Sequence, residues 1–292
     1  AAAAAGLTFA GGGGYREGSG YALVGGHSSE LLDKHDVLFE QIIRDVDVIV
    51  HEVFDDIMSA EGVMTVMDRI QQRLLELELP LPRSVPQSAA SMVVPVRLPV
   101  PGVDVHDPPA TLSPANKLLL LYNVPSRCWL SSAQPFEDLC FEREVAKQMG
   151  VNADGVPCSE EALRFRITSP GLLSGFCIFL KIKFWEGMVL DTVCDATTNW
   201  RNVVVLLPRA GEVGALRVEV GDEVVLRTLV EHSDHRPDYY FMVDSLSPGI
   251  LERNPHAHVV LHKVQQIFFE ELNYNEARGR SVRNVECAAE CR

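Results

Sequence analysis

Residues 45–62 read DVDVIVHEVFDDIMSAEG, and this stretch indicates an α/β unit. Its first part, Val46–Val50, is a compact run rich in β-branched residues, which predicts a buried strand. Residues 31–43 place apolar side chains at helical spacing, so we expect a short helix to lead into that strand. Beyond the stretch, apolar residues recur mostly three or four positions apart from Val63 to Leu79 and predict an amphipathic helix.

Four acidic residues, Glu52, Asp55, Asp56 and Glu61, follow the end of the predicted strand, where open α/β sheets carry ligand-binding groups. Glu52 and Glu61 lie nine positions apart around an apolar turn, and they can converge if the segment folds back. Two such carboxylates can grip the donor fork of a guanidinium and orient its nitrogen toward an electrophile. The same four acids also fit a solvated loop and the acidic first turn of a helix. Composition alone favours that second interpretation.

The composition of the chain restricts the classes of partner. Its 292 residues include 26 Lys or Arg and 40 Asp or Glu, so the formal net charge is −14. Such a surface repels a phosphate backbone, so we expect no direct nucleic-acid binding and favour a basic protein segment as partner. No apolar run approaches the roughly 20 residues that span a bilayer, so no membrane partner is expected. Seven dispersed cysteines favour reduced thiols in an intracellular protein, cytoplasmic rather than organellar.

The second part of the chain has the pattern of β-structure, with short apolar segments bounded by Gly, Pro, Asp or Ser turns. A strand is also expected over Met92–Leu98, where Pro95 favours a sheet edge or a bulge. About eight strands of this kind suggest a sandwich or a barrel, with a boundary to the α/β part near Leu79. The predicted strands are Leu118–Asn123, Leu163–Ile167, Phe176–Phe184, Met188–Val193, Asn202–Leu207, Ala215–Val220, Glu223–Val230 and Tyr239–Val243.

The segment HEVFDDIMSAEG, residues 51–62, resembles the double-glutamate loop of the protein arginine methyltransferases. Glu52 and Glu61 are in the register of the two acids of that loop. The order VFD followed by EG is closer to the tandem-domain, monomethylating branch of the family than to the common dimethylating one. The resemblance implies that Glu52 and Glu61 are catalytic residues that hold the substrate guanidinium if the protein is active.

Other segments extend the resemblance. GGHSSELL, residues 25–32, is similar to the family's segment before that strand, where the resemblance places Glu30 near the adenine of the cofactor. TTNWRNVVVLLP, residues 197–208, is similar to the Thr-His-Trp loop and the strand after it. Trp200 keeps the Trp of that loop, whereas Asn199 replaces the His and cannot titrate near neutral pH. Residues 82–97 resemble the family's crossover into the barrel. Residues 172–192 resemble a barrel hairpin, and residues 218–226 resemble a later strand pair.

The resemblance implies an S-adenosylmethionine-binding Rossmann half followed by a β-barrel half. We therefore expect a fold of the α/β plus all-β class, in which a partial Rossmann-type methyltransferase segment precedes an arginine-methyltransferase-like β-barrel. The expected parts are a flexible or unassigned amino-terminal segment, the partial α/β segment with its acidic loop, the barrel, and a carboxy-terminal tail with a helix. The amino-terminal segment covers residues 1–24, the α/β segment residues 25–79, the barrel residues 80–250 and the tail residues 251–292.

The family binds S-adenosylmethionine through a strand, a GxGxG turn, a helix and an acidic residue that holds the ribose. These would precede residue 25, and the 24 residues found there contain no segment of that form. We therefore expect no cofactor as the chain stands, and a non-catalytic scaffold or regulatory subunit of a larger protein assembly. The alternative is an active S-adenosylmethionine-dependent protein arginine N-methyltransferase whose cofactor-binding part lies outside this sequence.

A reduced Rossmann half would leave apolar side chains uncovered on its strand and its helix. Large contiguous apolar patches are uncommon on soluble monomers, so we expect a protein partner to cover this face. No metal site is expected, because the closest cysteine pair, Cys287 and Cys291, has no companion His or Cys cluster. The side chains of the apolar face are Val46, Val48, Val50, Val63, Met67, Ile70 and Leu74.

Overall fold

The structure is a computed structural model, and it is mostly β-sheet with few helices. The residues it describes are 44, 46–100, 103–104, 110–112, 118–193, 198, 200–208, 215–232 and 237–267. The strands are β1 Val48–Val50, β2 Arg83–Val85, β3 Ser88–Val96, β4 Ala110–Leu112, β5 Leu118–Leu121, β6 Gln134–Cys140, β7 Gly150–Val151, β8 Pro157–Arg166, β9 Gly171–Leu173, β10 Gly175–Trp185, β11 Met188–Asp191, β12 Asn202–Leu206, β13 Leu216–Val218, β14 Glu223–Glu231, β15 Asp238–Leu246 and β16 Gln265–Ile267. The α-helices are α1 Val63–Glu76 and α2 Pro248–Arg253, and short 3-10 helices cover Ser126–Cys128, Val145–Gln148 and Ala257–Val259.

Two sheets make up most of the described part. In the larger one the strand order is β4, β5, β12, β10, β3, β6, with β11 also paired to β10. In the smaller one the order is β16, β15, β14, β8, β7, and β9 forms a separate pair with β13. The apolar faces of both sheets contribute to one core, in which Phe136 and Phe176 of the larger sheet meet Phe241 and Phe165 of the smaller one. Within the described residues, the backbone pairing does not close these sheets into one barrel.

The α/β part is a single strand, helix, strand unit. β1 pairs in parallel with β2, and α1 forms the connection that a parallel pair requires. Gly62, with a φ of 80°, turns the chain into α1 in a conformation that side chains other than glycine disfavour. In the part of the chain that the structure describes, this parallel pair has two strands, so a Rossmann sheet is not shown. The boundary at residue 79 stays a prediction.

The apolar face of α1 is buried inside this chain. Val63, Met67 and Leu74 are almost completely buried, and Met67 packs in a cluster with Phe54 and Phe141. The expectation that this helix face is open to a partner is therefore wrong, because the loop before α1 and the strand β6 region already cover it. The prediction that the strand at Val46–Val50 is buried is wrong, because no described element covers its two outer valines: the exposed fraction is 44% for Val48 and 77% for Val50.

The strand that contains Pro95 lies inside the larger sheet and not at its edge. β3 pairs with β10 on one side and with β6 on the other. Pro95 lies beyond Val93, the last β3 residue paired with β6, so its missing N–H removes no bond from that ladder. Its carbonyl oxygen accepts a hydrogen bond from the Leu130 N–H at 2.9 Å. The pairing of β3 with β6 does shift register, but earlier, between Ser91 and Met92, and the extra residue is Phe136 of β6.

The eight predicted β-segments all contain strands, and the predicted helix at 63–79 is α1, which ends at Glu76. The predicted helices at 31–43 and in the tail beyond residue 267 lie outside the described residues. The sequence did not reveal β6, whose apolar positions are interrupted by polar residues, or β9, which has only three residues. None of the helices described here is long and apolar enough to cross a bilayer.

Candidate functional site

The acidic loop, residues 51–62, connects the end of β1 to the start of α1. Its middle is deeply buried: Ile57, Met58 and Ala60 have no exposed surface. Glu52 and Glu61, which lie near its two ends, are exposed. The loop is thus a packed segment whose two predicted catalytic acids remain at the surface, and its middle is not solvated.

A buried ion pair fixes the loop to the segment that leads into β12. The Arg201 backbone N–H donates to Asp56 Oδ1 at 2.6 Å, and Arg201 Nε donates to Asp56 Oδ2 at 2.8 Å. The two side chains are only 7% and 3% exposed. Burial raises the pKa of Asp56 to about 7, although the Arg201 guanidinium and its hydrogen bonds act in the opposite direction. Next to this pair, Trp200 Nε1 donates to the Phe54 carbonyl oxygen at 3.2 Å.

A second buried anchor joins the loop to both sheets through Glu137 of β6. Ser91 of β3 donates its hydroxyl to Glu137 Oε2 at 2.6 Å and accepts the Met58 N–H at 3.0 Å. Ser59 donates its hydroxyl to Glu137 Oε1. The Ser59 and Tyr239 hydroxyls are 2.8 Å apart, which brings in β15 of the smaller sheet. One carboxyl group therefore ties the loop to strands of both sheets.

Glu137 has no basic side chain among its hydrogen-bond partners in the described residues. Burial raises its pKa to about 7, and the hydroxyl donors of Ser59 and Ser91 offset only part of that rise. Burial and the Glu137 charge raise the pKa of Tyr239 well above its ordinary value, so the phenol stays protonated. The charge of Asp55 also raises the pKa of Asp56. The interior behind the loop thus holds carboxyl groups that ionise near neutral pH.

His51 precedes Glu52 and lies in an aromatic environment. Its ring centroid is 4.7 Å from that of Phe141 and 5.4 Å from that of Phe54. Both ring nitrogens are buried, and neither has a hydrogen-bond partner in the part of the chain that the structure describes. Burial lowers the pKa of His51 to about 4, so the ring is neutral near pH 7 and packs as an apolar group.

The predicted site residues are only partly covered by the described part of the chain. Glu52 and Glu61 are on the surface of the loop, and their convergence on one guanidinium stays a prediction. Trp200 is half-buried and holds the loop backbone, whereas Glu30 and Asn199 lie outside the described residues. No group of three or more His, Cys, Asp or Glu residues in the described ranges could hold a metal ion.

Sequence reasoning missed the residues that anchor the loop. Arg201 directly follows Trp200, so its place beside the resembled loop could have drawn attention to it. Glu137 lies in the run Phe136-Glu137-Asp138-Leu139, where no local signal distinguishes the buried acid from its exposed neighbour.

The chain matches no protein-family model and no curated protein. Among solved structures it is similar to one described as the crystal structure of PRMT6, with 14% sequence identity and a TM-score of 0.48. The similar region covers 76% of this chain and 73% of the other. Function therefore has to be inferred from the residues of this chain.

Proposed function

We propose that the chain is an arginine-methyltransferase-like protein that works as a non-catalytic scaffold or regulatory subunit of a larger protein assembly. The observation that carries this proposal is the packed acidic loop with Glu52 and Glu61 exposed near its ends. Asp56 and Ser59 anchor this loop to side chains of other segments of the chain. It can present carboxylates to the guanidinium groups of a partner protein.

The non-catalytic assignment rests on the sequence. Methyl transfer from S-adenosylmethionine requires donors and an acid that hold the nucleoside, and this sequence has no strand, GxGxG turn and helix in succession. Gly11–Gly14 do not replace this motif, because they lack the features of a phosphate loop and the periodic helix that should follow a dinucleotide fingerprint. The buried ion pair and the Glu137 anchor are structural contacts, and neither supplies a methyl donor.

The alternative proposal is an active protein arginine N-methyltransferase that uses S-adenosylmethionine and has its cofactor-binding part outside this sequence. In that case Glu52 and Glu61 would hold the substrate guanidinium, and Glu30 would lie near the adenine. The β1, α1, β2 unit would be the end of the Rossmann half, and the two sheets would correspond to the barrel half. The exposed position of both acids is compatible with this alternative as well.

Calorimetry distinguishes the two proposals. We expect titration of the purified 292-residue chain with S-adenosylmethionine to give no heat beyond dilution. Near-ultraviolet circular dichroism of the same sample provides the control that the chain is folded. A micromolar dissociation constant, followed by transfer of a labelled methyl group to an arginine-rich peptide, would refute the scaffold proposal and support the active enzyme.

The exposed strand β1 provides a test of partnership. Leu74 is buried in the chain's own core, so a charge there would damage the fold and report nothing about a partner. We expect Val48→Asp combined with Val50→Asp to release the chain from its assembly, because a partner that covers these side chains would have to bury two carboxylates. The native mass of the tagged chain in cell extract measures this. Val220→Asp is the matched control, since Val220 is 66% exposed in a turn. An unchanged mass for the β1 variant contradicts the proposed partner face.

A further inference from the structure

A cavity of about 650 Å³ lies between β6 of the larger sheet and β8 of the smaller sheet. In the part of the chain that the structure describes, β6 is the last strand of its sheet, and the outer side of β8 pairs only with the two-residue strand β7. Within the described ranges, no backbone hydrogen bond joins β6 to β8. Two strand edges therefore face each other across a groove.

Side chains close the two ends of this groove. At one end, Gln134 Nε2 donates to the Arg164 carbonyl oxygen at 2.7 Å, and the Ser131 hydroxyl donates to that of Arg166 at 2.8 Å. At the other end, the Gln148 amide accepts the Cys140 N–H at 2.9 Å and donates to the Cys140 carbonyl at 2.8 Å. Gln148 thus makes the pair of bonds that a neighbouring antiparallel strand would make.

Among the described residues, none makes such bonds in the middle of the groove. Along an antiparallel strand, the N–H and C=O groups of every second residue point to the same side. The carbonyl groups of Arg164 and Arg166 point toward the groove, so the backbone groups of Glu160 and Ala162 point toward it as well. The same rule applies to β6: the backbone groups of Cys140 point toward the groove, so those of Asp138, two residues away, do so too. Asp138 and Glu160 line the cavity, and Ala162 follows next but one along the same edge of β8, so a bound strand could satisfy the N–H and C=O groups of these three residues.

The charge of the lining favours one kind of occupant. The cavity is lined by Glu137, Asp138, Glu160 and Glu161, and no Lys or Arg is among its lining residues. His232, which also lines it, is neutral near pH 7 because burial lowers its pKa to about 4. Of these four acids, Glu160 pairs with Arg227, whose Nη1 lies 3.1 Å from its carboxylate. The groove is therefore negative as well as rich in free backbone groups.

We propose that this groove binds an extended segment of a partner protein that contains lysine or arginine, by strand addition between β6 and β8. The backbone of the segment bonds to the free edges, and its basic side chains lie beside the exposed Asp138, Glu160 and Glu161. The site lies behind the acidic loop, with which it shares Glu137, and it needs neither methyl transfer nor a cofactor.

The probe is a fluorescein-labelled octapeptide of alternating lysine and valine, and fluorescence anisotropy measures its binding to the full chain. We expect Ala162→Pro to weaken binding at least about tenfold, because proline removes the N–H that faces the groove. Ala162→Val is the matched control, since it keeps this N–H. β8 tolerates the proline at this position because its bonds to β14 come from the alternate residues.

Two further arms separate strand addition from charge attraction. Asp138→Lys combined with Glu161→Lys should also weaken binding, whereas Glu186→Lys, on the exposed turn between β10 and β11, should not. The peptide N-methylated at alternate residues should bind at least about tenfold more weakly, which tests the backbone bonds even if the proline variant misfolds. Overturning results are absence of binding by the unmodified peptide, or unchanged binding after N-methylation.

Discussion

Replacing Arg201 by methionine is expected to lower the free energy of unfolding by about 3–5 kcal/mol near pH 8. The substitution leaves the Asp56 carboxylate buried without its guanidinium, and Asp56 is only 2% exposed. Because Arg201 lowers the pKa of Asp56, its loss raises that pKa further. Near pH 5 the carboxyl is therefore protonated in the variant, and the loss of stability should be smaller. Urea denaturation at the two pH values measures the difference.

Two variants serve as controls for this experiment. Arg227→Met removes a half-exposed arginine that pairs with Glu160 and Asp244, and we expect a loss below about 1 kcal/mol. Asp56→Leu combined with Arg201→Met replaces the ion pair by apolar groups and should recover much of the lost stability. A loss below about 1 kcal/mol for Arg201→Met at pH 8 would show that the ion pair does not anchor the acidic loop.

Replacing Glu137 by glutamine is expected to stabilise the protein above pH 7 by on the order of 3 kcal/mol. The folded-state pKa of Glu137 is about 7 and its ordinary value is 4.5. Between pH 4.5 and pH 7, the folded protein therefore keeps a proton on Glu137 that the unfolded chain releases. The stabilising contribution of the protonated carboxyl is complete below pH 4.5 and is lost as the pH rises through 7. Glutamine does not ionise and can still bond to the hydroxyls of Ser59 and Ser91.

The measurement is urea denaturation at intervals from pH 5 to pH 8. Asp56 also retains a proton over part of this range, whereas His51 and His232, whose pKa burial lowers from 6.5 to about 4, act in the opposite direction below pH 6.5. The variant should therefore lose only part of the fall in stability above that pH. Glu161→Gln, at an exposed position of β8, is the matched control and should change the free energy of unfolding at pH 8 by less than about 0.5 kcal/mol. A glutamine variant less stable than the parent protein at pH 8 would contradict the role assigned to Glu137.

The secondary structure was predictable because its signals are local. The helical spacing from Val63 onward predicted α1, which ends three residues before the expected Leu79. Alternating or continuous apolar runs likewise marked β10 and β12. The error at Pro95 arose because a missing N–H is costly only where a neighbouring strand would accept it. Whether a neighbouring strand reaches as far as Pro95 depends on how segments that are distant in the sequence pair with each other.

The sequence by itself determined the position of the acidic loop after β1 and the positions of most of the longer strands, among them β5, β8 and β10 to β15. Only the tertiary structure decided that Asp56 and Glu137 are buried while Glu52 and Glu61 are exposed. A carboxyl group can be buried only where donors surround it, and here Arg201, Ser91 and Ser59 come from distant parts of the chain. Periodicity describes neighbours along the chain, whereas such a set of donors exists only after the sheets have packed.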